Sequence, residues 1–303
     1  MSSPFDVPLV SDPAVALPPI SLSDLPKIGP LYTVEYVIEL VGPKSIPAAA
    51  VTGLLQADWQ SALGNPGIWV MAAMDQSWKA ASSSAQGSFD SLALTWEYLS
   101  GRGNLSSASA AHLLSVAEKF GQAVERRAMP IPPPQDVDRQ VRALAEARDA
   151  LDIGFSLAVA NAQGWMLEKD IWVQCARLGL TLGGDGVFGW QVQGWPEPLV
   201  SVTPLGRALG FSLGAVQRGD AHAGIGIGFS VPLSPSPSAS LDACFHIARV
   251  FAQVFTALIL DEEGHPLTIQ SESMYRRNIG EAERSLEQAG LKAGSAEAAK
   301  LFG

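Results

Sequence analysis

Between positions 31 and 42 the chain reads LYTVEYVIELVG, and Val34, Tyr36, Ile38 and Leu40 alternate with Thr33, Glu35 and Glu39. A period of two predicts a strand with one face buried. The stretch that follows, PAAAVTGLLQADWQSALG, has Pro47 where a helix opens and Gly64 where one stops. GIWVMAAMD (67–75) and FDSLALTWEYLS (89–100) read as strands on either side of a Ser/Ala-rich loop. A helix over 107–124, an extended AMPIPPP (128–134) and a helix over 135–151 complete the run.

From position 151 the order repeats. LDIGFSLAVANAQG is a strand with Ile153, Phe155, Leu157 and Val159 on one side, MLEKDIWVQCARLG a helix, and GVFGWQVQG a strand. PLVSVTPLGRALGFSLG gives a strand and loop, AGIGIGFSVPL another strand, 238–255 a helix and TALILDEEGH a strand. Thr268 is a good N-cap for a final helix. The repetition is also written into one phrase: SASAAHLLSVAEKFGQAV (107–124) and SASLDACFHIARVFAQVF (238–255) superpose Val116 on Ile247, Ala117 on Ala248, Phe120 on Phe251 and Gln122 on Gln253. A shared phrase in a shared element order predicts an internal duplication, and the period is too long for a solenoid. The expected organisation is α+β, with two domains over 31–150 and 151–289 and a flexible tail over 290–303. Pro4, Pro8, Pro13, Pro18, Pro19, Pro26 and Pro30 make residues 1–30 an extended leader, because proline at this density removes backbone donors and blocks helix.

Composition narrows the function. With 303 residues, 47% of them hydrophobic, each domain is long enough to bury a core. Apolar runs break well before the roughly 20 residues of a bilayer span, and MSSPFDVPLVSDP lacks the basic start and apolar core of a secretory signal. The expectation is a cytoplasmic protein with no direct membrane insertion. A net charge of −10 argues against nucleic acid, whose binding rests on cationic contacts to phosphate. Cys175 and Cys244 sit among apolar residues and read as small core hydrophobes.

Residues 199–286 carry LVSVTPLGRALGF, then GIGIGFSVPL, then LDEEGHPLTIQSESMYRRNI with Leu260, Asp261, Thr268, Gln270, Tyr275 and Ile279. In these motifs the second half resembles the C-terminal domain of the bacterial cell-division protein ZipA, which binds the tail of the tubulin-like FtsZ. The first half matches in element order and a few core positions. The resemblance implies two tandem split β-α-β sandwiches, each an antiparallel sheet with helices on one face and the other partly open. It also implies a cell-division role, at the septum, in which FtsZ's C-terminal peptide lies in a shallow apolar groove. By position, the groove lining falls on Val202, Leu205, Arg207 and Phe211, with Phe188 contributing. An apolar trough with one cation at its rim suits an amphipathic peptide carrying an acidic residue.

The chain departs from such a groove in one respect. If Ile225, Ile227, Phe229 and Val231 face the helices, the open side presents Gly226, Gly228 and Ser230, with Gly154, Ser156 and Ala158 beside them. Small residues there let another backbone approach closely, so either a bulky peptide binds or this chain covers its own sheet.

Signals for chemistry are weak. The Gly-rich GLTLGGDGVFGW (179–190) follows a helix and enters a strand, the reverse of a phosphate loop. His112, His222, His246 and His265 show no metal-ligand spacing. Trp59, Trp96, Trp172 and Trp190 fit core patterns, while Trp69, Trp78 and Trp195 are candidate surface anchors. The reading is therefore a non-catalytic protein- or peptide-binding protein without cofactor or metal, with FtsZ's tail or another protein as partner. A second reading keeps the fold and makes the chain an adaptor in another assembly, its two sheets packed together. An enzyme of unknown class is the remote third.

Overall fold

A computed structural model describes residues 5, 8–20, 22, 28–72, 77–82, 87–101, 103–161, 164–206 and 208–303. The chain divides into two compact units. The first domain comprises Pro26–Leu151, Ala289–Leu291 and Ser295–Gly303; the second comprises Met1–Leu25, Asp152–Gln288 and Lys292–Gly294. Both are mixed α+β, built on antiparallel sheets.

The first domain runs β1 (Glu35–Val41), α1 (Ala48–Leu54), α2 (Ala57–Ala62), β2 (Gly67–Met71), β3 (Ser91–Glu97), α3 (Ser107–Ala123), β4 (Arg127–Ile131) and α4 (Val137–Leu151). The helix expected over 47–64 is broken at Leu55–Gln56, and Gly64, at a φ of 66°, follows its second piece. The proline-rich AMPIPPP enters the sheet as β4, pairing with β1. Sheet order is Lys79–Ala80, β2, β3, β1, β4.

The second domain runs β5 (Gly154–Ala160), α5 (Glu168–Arg177), β6 (Ser201–Pro204), α6 (Leu213–Arg218), β7 (Gly224–Ser230), α7 (Pro237–Phe255), β8 (Leu258–Leu260) and α8 (Ile269–Gln288). Its sheet order is Thr181–Leu182, Phe188–Gly189, β6, β7, β5, β8. The order β2-β3-β1-β4 thus recurs as β6-β7-β5-β8, and the phrase-bearing helices α3 and α7 each lead into the last strand of their set. Ala117 and Ala248 are both fully buried, as are Phe120 and Phe251 to within a few per cent. Caps fix the helix starts: Ser106 accepts from the N–H of Ser109 (3.1 Å) and Thr268 from that of Ser271 (3.1 Å).

Side-chain alternation decides which face is covered. A Cβ on Gly121 of α3 would lie 3.5 Å from Leu40 Cδ2, so Leu40, Ile38 and Tyr36 face α3, and Glu35, Val37 and Glu39 point the other way. In the second domain the Phe155 ring meets Phe245 of α7 at 5.8 Å and Tyr275 of α8 at 5.1 Å. Phe155, Leu157 and Val159 therefore share the helix side with Ile225 and Ile227, while Ser156, Gly226 and Gly228 share the opposite, partly exposed face. Burying each large aliphatic side chain contributes roughly 1.5–3 kcal/mol. Cys175 and Cys244 are buried as expected, and burial pushes both thiol pKa values up.

One core feature gives a direct prediction. Tyr98 is fully buried, burial pushes its phenol pKa up, and its hydroxyl has no hydrogen-bond partner among the described residues. An unsatisfied buried hydroxyl costs about 1–3 kcal/mol. Tyr98→Phe is expected to leave stability unchanged or raise it by about 1 kcal/mol, read from the denaturant midpoint. A clear loss would mean that the hydroxyl is satisfied.

The described parts of the leader and of 290–303 pack onto their domains. The leader binds the end of α5: Asp12 N–H donates to the Arg177 carbonyl (2.9 Å), Leu17 N–H to that of Leu178 (3.1 Å), and Asp12 accepts from the Arg177 guanidinium (2.8 Å). Those carbonyls are the ones a helix end leaves unpaired. Instead of a flexible tail, residues 290–303 contain α9 (Ala296–Phe302), capped by Ser295 and burying Ala298 and Leu301 at a spacing of one turn.

Candidate functional site

The second domain holds a buried polar cluster at the start of α5. Glu168 is 0% exposed. Its Oε1 accepts from the backbone N–H of Ser212 (2.6 Å) and from the Trp172 indole (3.3 Å), and its Oε2 lies 2.8 Å from Nε2 of His222. His222 sits in the short strand Ala221–His222, paired with Met166–Leu167 immediately before Glu168. Around this cluster runs an aromatic chain: Trp172 to Phe188 at 5.3 Å, Phe188 to Phe211 at 5.4 Å, and Phe211 to the His222 ring at 5.6 Å. Both carboxylate oxygens are committed and His222 is buried, so the cluster ties three segments together: the head of α5, the strand at 221–222 and the loop before α6.

That loop is the exposed part. Leu205 N–H donates to the Gly224 carbonyl (2.9 Å), Phe211 N–H to that of Gly186 (2.7 Å), and Ser212 N–H to Glu168. Gly210 passes so close to Asp185 that a Cβ there would sit 2.9 Å from its carbonyl oxygen. Between these fixed points Leu209 is 99% exposed, and Leu213, at the start of α6, is 45% exposed. On the other side of the same pin, Leu167 is 47% and Trp165 71% exposed. Leu167 precedes Glu168 and Leu213 follows Ser212, so the hydrogen bond between Glu168 and Ser212 brings the two apolar segments together. Exposed apolar side chains close to such anchor points carry a smaller ordering cost when a partner arrives.

No known protein family and no curated protein matches the chain. What can be said of the site rests on its own residues. No group of three or more His, Cys, Asp or Glu among the described residues is placed to hold a metal. No helix among them is long and apolar enough to cross a membrane.

The residues expected to line a groove are distributed differently. Val202 faces the helices, because it pairs with Ile227, and Phe188, paired with Val202, faces the same way. Phe211 is buried in the aromatic chain. These three residues are therefore buried and do not line an open face: strand register turns Val202 and Phe188 toward the helices, and Phe211 packs in the aromatic chain. Leu205 is half-buried at the loop's start, and Arg207 lies outside the described residues. Trp195, expected as a surface anchor, is buried, while Trp69 and Trp78 are half-buried. The most exposed described tryptophan is Trp165, which the sequence reading left aside; its place in a loop beside Gly164, outside any apolar period, was the available signal.

Proposed function

We propose that this chain is a non-catalytic peptide-binding protein whose second domain captures a short apolar segment of another protein. The observation that carries this reading is the loop anchored at Leu205 and at Phe211–Ser212, which leaves Leu209 almost fully in water, with Leu213, Leu167 and Trp165 exposed on the segments joined by the Ser212–Glu168 hydrogen bond. Isolated exposed leucines are ordinary on a protein surface, but four large apolar side chains on two segments joined by one hydrogen bond fit a recognition surface. Large side chains of a partner would anchor there, and affinity would be concentrated in a few contacts.

The resemblance of 199–286 to the ZipA C-terminal domain, a split β-α-β sandwich, supplies the candidate partner: the C-terminal tail of FtsZ, with cell division as the process and the septum as the place. The recurring strand order supports two domains of this kind. Micromolar affinity for a labelled FtsZ tail peptide is expected. Leu209→Asp should weaken it at least tenfold, about 1.4 kcal/mol, without changing the unfolding midpoint, since the side chain makes almost no contact with the fold. No binding at millimolar peptide would remove FtsZ as the tail-bound partner. Equal binding by the variant would remove this loop as the surface.

A further inference from the structure

The first domain has its own sheet face turned away from its helices, and part of the chain sits on it. Glu35 and Glu97 are directly opposed across β1 and β3, on the side away from α3. Lys300 of α9 reaches both: its Nζ lies 3.1 Å from Glu35 Oε1 and 2.9 Å from Glu97 Oε1. The side chain of Glu35 is only 4% exposed, and its other oxygen accepts from the N–H of Leu31 (2.9 Å). Val37 and Thr95 on the same face are buried. One ammonium therefore serves two carboxylates, beside buried Val37 and Thr95.

From this arrangement we propose that the first-domain sheet face is a docking surface for a short helix of a partner protein that presents a lysine beside a leucine, and that α9 is the occupant that holds it shut in cis. The chemistry it selects is the one α9 displays: a lysine next to a leucine, Lys300 and Leu301, on a single turn of helix. The attachment of α9 is slight. It is two turns long, with Ala298 and Leu301 buried and Ala296, Glu297 and Phe302 half-buried, and so short an attachment places its opening toward the low end of local stabilities. A tethered segment competes at an effective concentration on the order of millimolar, which excludes a free peptide of equal intrinsic affinity at micromolar levels. This surface is separate from the apolar loop of the second domain, and either can fail without the other.

The test uses the full chain and a labelled peptide of residues 289–303. Wild-type protein is expected to ignore the peptide up to several hundred micromolar. Lys300→Glu, which repels Glu35 and Glu97, should speed hydrogen exchange in α9 by at least tenfold and bind the unmodified peptide at about 100 µM or better. Raising the salt from 50 to 500 mM should weaken that binding several-fold. Adding Glu35→Gln and Glu97→Gln to the Lys300→Glu chain should abolish the gain. Lys300→Gln, a milder change, should show the same exchange effect in smaller measure. Released α9 without peptide binding would overturn the docking surface. Exchange in α9 unchanged in both lysine variants would overturn the latch.

Discussion

Glu168→Ala should destabilise the second domain by about 3–5 kcal/mol, the range for removing one partner from a buried charged cluster. The side chain is fully buried, and its loss leaves the Ser212 N–H, the Trp172 indole and His222 without the acceptor they share. Glu168→Gln keeps the shape and one acceptor oxygen, so its loss should be about half as large. Chemical denaturation of the full chain checks both, analysed for two transitions because the chain has two domains. A loss below about 1 kcal/mol for the alanine variant would show that the cluster does not hold the loop.

The second large effect lies in the first domain. Arg126 is buried, and its guanidinium donates to the carbonyls of Leu40, Lys44 and Asp90, with both Nε and Nη2 on Lys44. Burial draws its pKa down and the Asp90 carboxylate opposes that. It closes the bend after β1 onto the start of β3 and packs over Gly42, where a Cβ would come within 3.2 Å of Arg126 Cγ. Arg126→Met keeps most of the packing but strips the buried carbonyl of Leu40 and the part-buried carbonyls of Lys44 and Asp90 of this donor, and a loss of about 2–3 kcal/mol is expected. Because the two clusters lie in different domains, each variant should shift one unfolding transition and leave the other in place. A single shared shift for both would contradict that assignment.

Features set by local periodicity were legible in the sequence. The alternation in 31–42 and 224–231, the repeated helix phrase and the Thr268 cap each depend on residues within a turn or a strand, and each has its counterpart in the fold. The candidate site was legible only in part. Leu205, Arg207 and Phe211 were singled out from a resemblance, without Leu209, and whether Phe188 and Val202 face the helices depends on their pairing across strands, which no local pattern fixes. Glu168 and His222 stand 54 positions apart, and an acidic residue in a helix's first turn ordinarily reads as complementing the helix dipole. The docked leader and α9 escaped for the same reason. Asp12 meets Arg177 and Lys300 meets Glu35 only once distant parts of the chain have folded.

The most direct test of peptide capture is to map the contact itself. The isotope-labelled 303-residue chain would be titrated with unlabelled FtsZ tail peptide and its amide resonances followed. Saturable shifts concentrated on 165–168 and 205–213 are the predicted result. Shifts confined to the first domain, or none at millimolar peptide, would contradict it.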